Sequence, residues 1–179
     1  MSPRPSPSGK SRVSTDWSAL YRTVFPDLVR FLHRKVWDED RARDLAQEAF
    51  ARALDHEPEN PRSWVFTIAV NLARDEARSA MRRKKHLTLL KGSADAVDPT
   101  DPEQELEKAE RMERVRAALD RLSERDRDVL LLWDAGLDYR EIAEQTGLSA
   151  GAIGTTLARA RRRLVEAYDA LEARHAARG

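Results

Sequence analysis

Cysteine is absent from this 179-residue chain, which excludes a disulfide framework and any thiolate-ligated metal site. Glycine is scarce, with 7 residues, so the turn-dense chains of β-sandwiches and barrels are disfavoured. No apolar run approaches the roughly 20 residues that span a bilayer. The N-terminus, Met-Ser-Pro-Arg-Pro-Ser-Pro-Ser-Gly-Lys, lacks the apolar centre of a secretory signal. A cytoplasmic location with no membrane insertion is expected. A strong net charge is missing too: 32 bases against 31 acids leave +1, so charge must act through local segregation. The histidines, His33, His56, His86 and His175, are scattered without metal-ligand spacing. Carboxylate pairs such as Glu141 and Glu144 have no Glu-x-x-His companion. No metal, cofactor or catalytic residue is expected, and the chain does not read as an enzyme.

What is present is helical pattern. Alanine, leucine, arginine and glutamate are abundant and favour helices, and no segment reads as a convincing strand. Residues 1–15, rich in Pro and Ser, read as a disordered tail. From Asp16, a stripe of Trp17, Leu20, Tyr21, Val24, Leu28, Phe31 and Leu32 predicts a first helix, which Pro26 should kink or split. A second follows Trp37-Asp38 with Ala42, Leu45, Ala49, Phe50 and Ala53 on its inner face. A third starts at Asn60-Pro61, carries Trp64, Ile68, Leu72 and Ala73, and runs into Arg78, Arg82, Arg83, Lys84 and Lys85. These can close a small bundle over 16–87. Gly92 to Pro102 has two prolines and no periodicity, and acidity continues through Glu103, Glu105, Glu107 and Glu110. Residues 88–110 therefore read as a flexible acidic linker, with helix resuming along the acidic stretch. A second helical domain follows over 111–173, then a tail, 174–179. Its first face is Val115, Leu119 and Leu122. Ser123 caps the next helix, which bears Val129, Leu130, Leu132 and Trp133 and ends at Gly136.

The stretch Leu137 to Leu164 carries the sharpest motif. Tyr139, Ile142 and Ala143 form the apolar face of one short helix, Gly147 can take the left-handed turn that ends it, and Ser149 is placed to cap the next. In that next helix Ile153, Leu157, Ala160 and Leu164 share one face, while Thr155, Arg159 and Arg162 point away. This is the pattern of a helix-turn-helix, whose second helix enters the DNA major groove. The bland alternative is two packed helices with a solvated arginine face.

Four segments together resemble one family. Asp44-Leu45-Ala46-Gln47-Glu48-Ala49-Phe50, Trp64 to Asp75, Leu122 to Leu130 and the helix-turn-helix occur in the order and spacing of extracytoplasmic-function sigma factors, the two-domain minimal form of the sigma-70 family. The resemblance runs from about Trp17 to Tyr168. It implies an all-α fold, with a sigma-2-like bundle of three to four helices and a sigma-4-like helix-turn-helix domain. It also implies core RNA polymerase, through its β and β′ subunits, and promoter DNA as partners, with an anti-sigma factor as a regulator.

By the same resemblance Asp44, Gln47, Glu48 and Phe50 contact polymerase. Arg62, Trp64, Asn71, Arg74, Arg78, Arg82, Arg83 and Lys84 serve the −10 element, with Asn71 facing a flipped-out base. Ser149, Gly151, Ala152, Thr155, Thr156, Arg159, Arg162 and Arg163 serve the −35 element. Trp64 is equally readable as core, the Asp44 patch as a solvated helix face, and the basic run as a helix end suited to the dipole. The acidic linker is either an RNA mimic in the exit path or a plain tether. Two departures stand out. The loop from His56 to Arg62, which by resemblance forms the flipped-base pocket, is short. The start of the recognition helix, Ala152-Ile153-Gly154-Thr155-Thr156, has threonines where the family often has basic residues. Threonine bonds either base type, so weaker direct −35 readout is expected. The competing reading is a response-regulator-type activator, which would need an α/β receiver that the first half does not suggest.

Overall fold

The computed structural model describes residues 15–87 and 102–177, with side chains described for 15–80 and 106–177. The tails expected at residues 1–14 and 178–179 and the linker over 88–101 lie outside the described residues, while 174–176 of the expected C-terminal tail continue the last helix. Among the described residues there are seven helices, in order α1 Trp17–Val36, α2 Glu39–Ala53, α3 Pro61–Leu87, α4 Pro102–Asp120, α5 Glu124–Asp134, α6 Tyr139–Thr146 and α7 Ala150–Ala176. There is no strand among the described residues. No helix there is long and apolar enough to cross a membrane.

The helix ends follow from the chemistry of single residues. Asp16, Asp38, Ser123 and Asp138 each accept a first-turn backbone N–H at the start of α1, α2, α5 and α6. Asn60 does the same for α3, its Oδ1 taking Ser63 N–H at 3.1 Å ahead of Pro61. At α6, Glu141 reaches back to the Asp138 N–H at 2.8 Å and completes a capping box. Gly147 stops α6 with φ 69°, a conformation glycine takes without strain. Trp37 closes α1 in the same left-handed region, its N–H on His33 O at 2.7 Å.

Two local expectations fail. Pro26 neither ends nor splits α1, which runs unbroken through it. Pro26 is exposed, so the Arg22 carbonyl it leaves without an N–H can bond water instead. Ser149 occupies the N-cap position of α7, but its side chain makes no cap bond. The turn is held instead by Ala152 N–H on Ser149 O at 2.9 Å.

In the first half, α1, α2 and α3 pack pairwise around Leu28, Leu32, Leu45, Val65, Phe66 and Val70. Phe31 meets Phe66 edge-on at 5.7 Å, and each such fully buried side chain is worth about 1.5–3 kcal/mol. In the second half, α5 and α6 pack on α7 around Val129, Leu132, Leu137, Ile142, Ile153 and Leu157. Helix α4 lies along α7. Residues 102–110, assigned to the linker from sequence, are its first turns. Pro102 begins a helix there rather than breaking one.

The halves are not two beads on a string. α1 contacts α5, α3 contacts α6, and their buried residues join in one continuous apolar cluster.

Candidate nucleic-acid interface

On α2, Asp44 and Gln47 face solvent, and Glu48 pairs with Arg52 one turn on. Phe50 does not belong to this face. It is 5% exposed, with Tyr21 at 4.9 Å and Phe25 at 6.2 Å between ring centroids. Its place among the polymerase-contacting residues is corrected to core, as its register with Ala46 and Ala49 requires. Arg41 fixes α2 to α3 through Glu76 at 2.6 Å, a bond that raises the guanidinium's pKa further.

On α3, Asn71 is exposed midway along the helix. Trp64 is half-buried against the core, meeting His56 edge-on with ring centroids 5.3 Å apart. Its indole N–H is buried with no acceptor. Arg78 is exposed, with Asp75 at 3.5 Å. Arg62 and Arg74 are engaged by the second half. Arg62 donates to the Ala135 and Gly136 carbonyls at 2.6 and 2.8 Å, and its guanidinium lies 5.8 Å from the Phe66 ring centre. Arg74 donates to Asp128 at 3.3 Å, with Glu124 at 3.9 Å. Arg82, Arg83 and Lys84 lie outside the described side chains.

On α7, Ser149, Gly151 and Thr155 are exposed and Ala152 is half-buried. Thr156 is 5% exposed and is corrected from a DNA-facing residue to a packed one. It shares the face of Ile153, Leu157 and Ala160, as the i, i+3, i+4, i+7 spacing dictates. Arg162 is exposed, with Glu166 at 3.7 Å. Arg159 and Arg163 both turn onto Asp126, at 2.6 and 2.7 Å. Asp126 is 1% exposed. The Arg159 hydrogen bond leads the causes that hold its carboxyl below the ordinary range, and the same bond raises the guanidinium's pKa.

Sequence reasoning missed the two buried acids of α5. Both acids sit on the apolar face, Asp126 one turn before Val129 and Asp128 one turn before Leu131 and Leu132. An acid at an inward position is the signal of a buried ion pair. Asp128 supplies one with Lys35, whose side chain is 7% exposed against 3% for its partner.

Between α3 and α5–α7 runs a groove of about 830 Å³, where Lys35, Arg74, Arg78, Arg125, Arg159 and Arg163 converge around these acids. Cations gathered this way suit phosphate oxygens. Among the described residues no group of His, Cys, Asp and Glu is arranged to hold a metal ion.

Both halves of the chain resemble known proteins. Sigma-70 region 2 matches residues 20–83 and sigma-70, region 4 matches residues 112–164. The chain is 31% identical to the RNA polymerase sigma factor YlaC of Bacillus subtilis, over 79% of this chain and 86% of that one. It is 34% identical to the ECF RNA polymerase sigma factor EcfG of Rhodopseudomonas palustris, over 78% of this chain and 77% of that one. Among solved structures it resembles the sigma factor RpoE of Bartonella quintana in complex with the anti-sigma factor NepR. The TM-score there is 0.64 at 24% identity, covering 86% of this chain and 97% of that one. It also resembles CnrH bound to the cytosolic domain of CnrY, with a TM-score of 0.62 at 24% identity and coverage of 86% and 88%. At that identity the structural likeness speaks to fold alone, and the sequence matches speak to family. The chain belongs to the extracytoplasmic-function RNA polymerase sigma factors of the sigma-70 family.

Proposed function

We propose that the chain binds core RNA polymerase in the cytoplasm through the Asp44–Gln47–Glu48 face of α2. It then reads two promoter elements and does no covalent chemistry itself. α3 takes the −10 strand, with Asn71 offering an amide to an unstacked base and Arg78 and the basic end of α3 following phosphates. The exposed start of α7 takes the −35 duplex. There Thr155 faces base edges, and Ser149, whose hydroxyl is not used in capping, faces the backbone. Arg162 contributes phosphate affinity rather than sequence. A protein regulator of the anti-sigma type is the expected controlling partner, since a sigma factor of similar fold was solved in complex with an anti-sigma factor.

The observation that carries this reading is the simultaneous exposure of Asp44, Gln47, Asn71 and Thr155 on helices matching regions 2 and 4. The test is run-off transcription from a promoter library with core polymerase, with and without the chain. Promoter-selective transcripts that need both proteins are expected. Strong sequence-specific DNA binding by the free chain, with no transcription, would overturn it. The response-regulator alternative is not favoured, since the first half is the α1–α3 bundle, with no strand among its described residues.

A further inference from the structure

We propose that the groove between α3 and α5–α7 is a binding site for a compact polyphosphate, a di- or triphosphate chain gripped from both walls at once. Such a site goes beyond promoter reading and does not depend on it.

The lining carries more positive charge than it cancels. Seven of its side chains are cations and three are carboxylates, an excess of four. The excess arises from the way the buried acids are shared. Asp126 meets Arg159 on one oxygen and Arg163 on the other. Asp128 meets Lys35 on one oxygen and Arg74 on the other. Each carboxylate neutralises one cation of its pair and leaves the second uncompensated. The third acid, Glu124, stands 3.9 Å from Arg74. Arg125 is exposed and has no acid partner among the described residues. Like charges gathered in one concave surface repel, and a polyanion relieves that repulsion.

Two donors of the lining also lack acceptors. The Nε atoms of Arg127 and Arg159 are buried, and no described group accepts from them. Both guanidiniums are held in place through other nitrogens, Arg127 on Asp120 at 2.8 Å and Arg159 on Asp126 at 2.6 Å. A buried N–H without an acceptor is costly, and a phosphate oxygen supplies one. Helix α5 adds to the field, since its N-cap Ser123 belongs to the lining and its dipole is positive there.

Size and composition select the ligand. A volume of about 830 Å³ falls within the range of small-molecule sites. No aromatic side chain lines the groove, so a base has nothing to stack on. Recognition therefore rests on the phosphate chain, whether inorganic or carried by a nucleotide. Arg74 and Arg78 come from α3, and Arg125, Arg159 and Arg163 from α5 and α7. A chain of two or three phosphates engages donors of both walls, and a ligand that binds the folded chain raises its stability.

The test is calorimetric titration of the full chain with inorganic tripolyphosphate at physiological ionic strength, beside thermal melts. One-to-one binding is expected, with a melting temperature that climbs with ligand concentration. ATP and GTP should bind within about threefold of each other, because the base is not read, and orthophosphate at least about tenfold more weakly than tripolyphosphate. Arg125→Glu on one wall and Arg78→Glu on the other should each weaken tripolyphosphate at least about tenfold, with little change in the unliganded melting temperature. Arg111→Glu makes the same charge change at an exposed position outside the groove and should leave affinity nearly unchanged. An equal loss in Arg111→Glu would mean diffuse attraction by net charge and overturns the site, as does a parent chain that binds no tripolyphosphate. A thymidine pentanucleotide that displaces tripolyphosphate and binds more tightly assigns the groove to single-stranded DNA, and overturns the polyphosphate site as well.

Discussion

Arg159 of α7 and Asp126 of α5 meet at 2.6 Å, 33 residues apart in sequence, with the carboxylate almost wholly buried. Arg163 adds a second cation on the other oxygen at 2.7 Å. The recognition helix is therefore braced on the first turn of α5 by a charge cluster rather than by apolar contact alone.

Asp126→Asn should cost about 1–3 kcal/mol at neutral pH, since the charge is removed and one of the two buried acceptor oxygens becomes an amide donor facing an arginine, while the arginines keep partial access to water. The folded carboxyl is held below its ordinary value, so its contribution is present above the unfolded value near pH 4. It is lost as pH falls through the folded one. Urea melts of both proteins should show a gap at pH 7 that narrows below about pH 4. A gap constant across that range would remove Asp126 as its source.

The α2 face divides cleanly by burial. Phe50→Ala should destabilise by about 3–5 kcal/mol, because it empties a site between two rings. Asp44→Ala and Gln47→Ala should stay within about 0.5 kcal/mol of the parent yet weaken competition for core polymerase. Denaturant midpoints and a polymerase competition assay, run on the same samples, distinguish the two behaviours.

The paired threonines should separate in the same way. Thr155→Ala is expected to relax base preference in the −35 element by about 1 kcal/mol with little change in stability. Thr156→Ala should leave the preference intact and cost about 1 kcal/mol of folding free energy for a buried methyl. Transcription by the reconstituted polymerase from single-base −35 variants reports the first. A thermal melt reports the second.

The glycines of the helix-turn-helix should answer an alanine substitution with opposite signs. Gly147→Ala forces a Cβ into φ 69° and should destabilise by about 1 kcal/mol. Gly151→Ala meets nothing within 4 Å, and Gly154→Ala meets Tyr139 at an ordinary 3.5 Å. Each should stabilise α7 by about 0.5–1 kcal/mol and tighten it where DNA is read. Calorimetry of the three variants checks the order.

Helical periodicity makes the bundle, the helix-turn-helix and the inward faces of α2 and α7 legible in the sequence alone. It also held the means to place Phe50 and Thr156 inside, since both fall in register with buried neighbours. The family resemblance set both among the partner contacts, although the inward stripe read for α2 already included Phe50. Pro26 and Pro102 misled for a related reason. A proline is read as a breaker, yet one is exposed inside a continuous helix and the other starts one. The meeting of the two halves was not legible at all. Arg34 with Asp134 and Arg62 with Gly136 join positions 100 and 74 residues apart, and no local pattern encodes such pairing.

α7 continues well past the turns that carry Thr155 and Arg162, and its far end lies beside α4, where His175 approaches Glu110 at 3.5 Å. At 1.5 Å per residue its 27 residues make a single stiff rod about 40 Å long. A rod gripped at one end moves at the other. α4 follows the segment that joins the two halves, so the end of the rod away from the reading turns is the end packed beside that join.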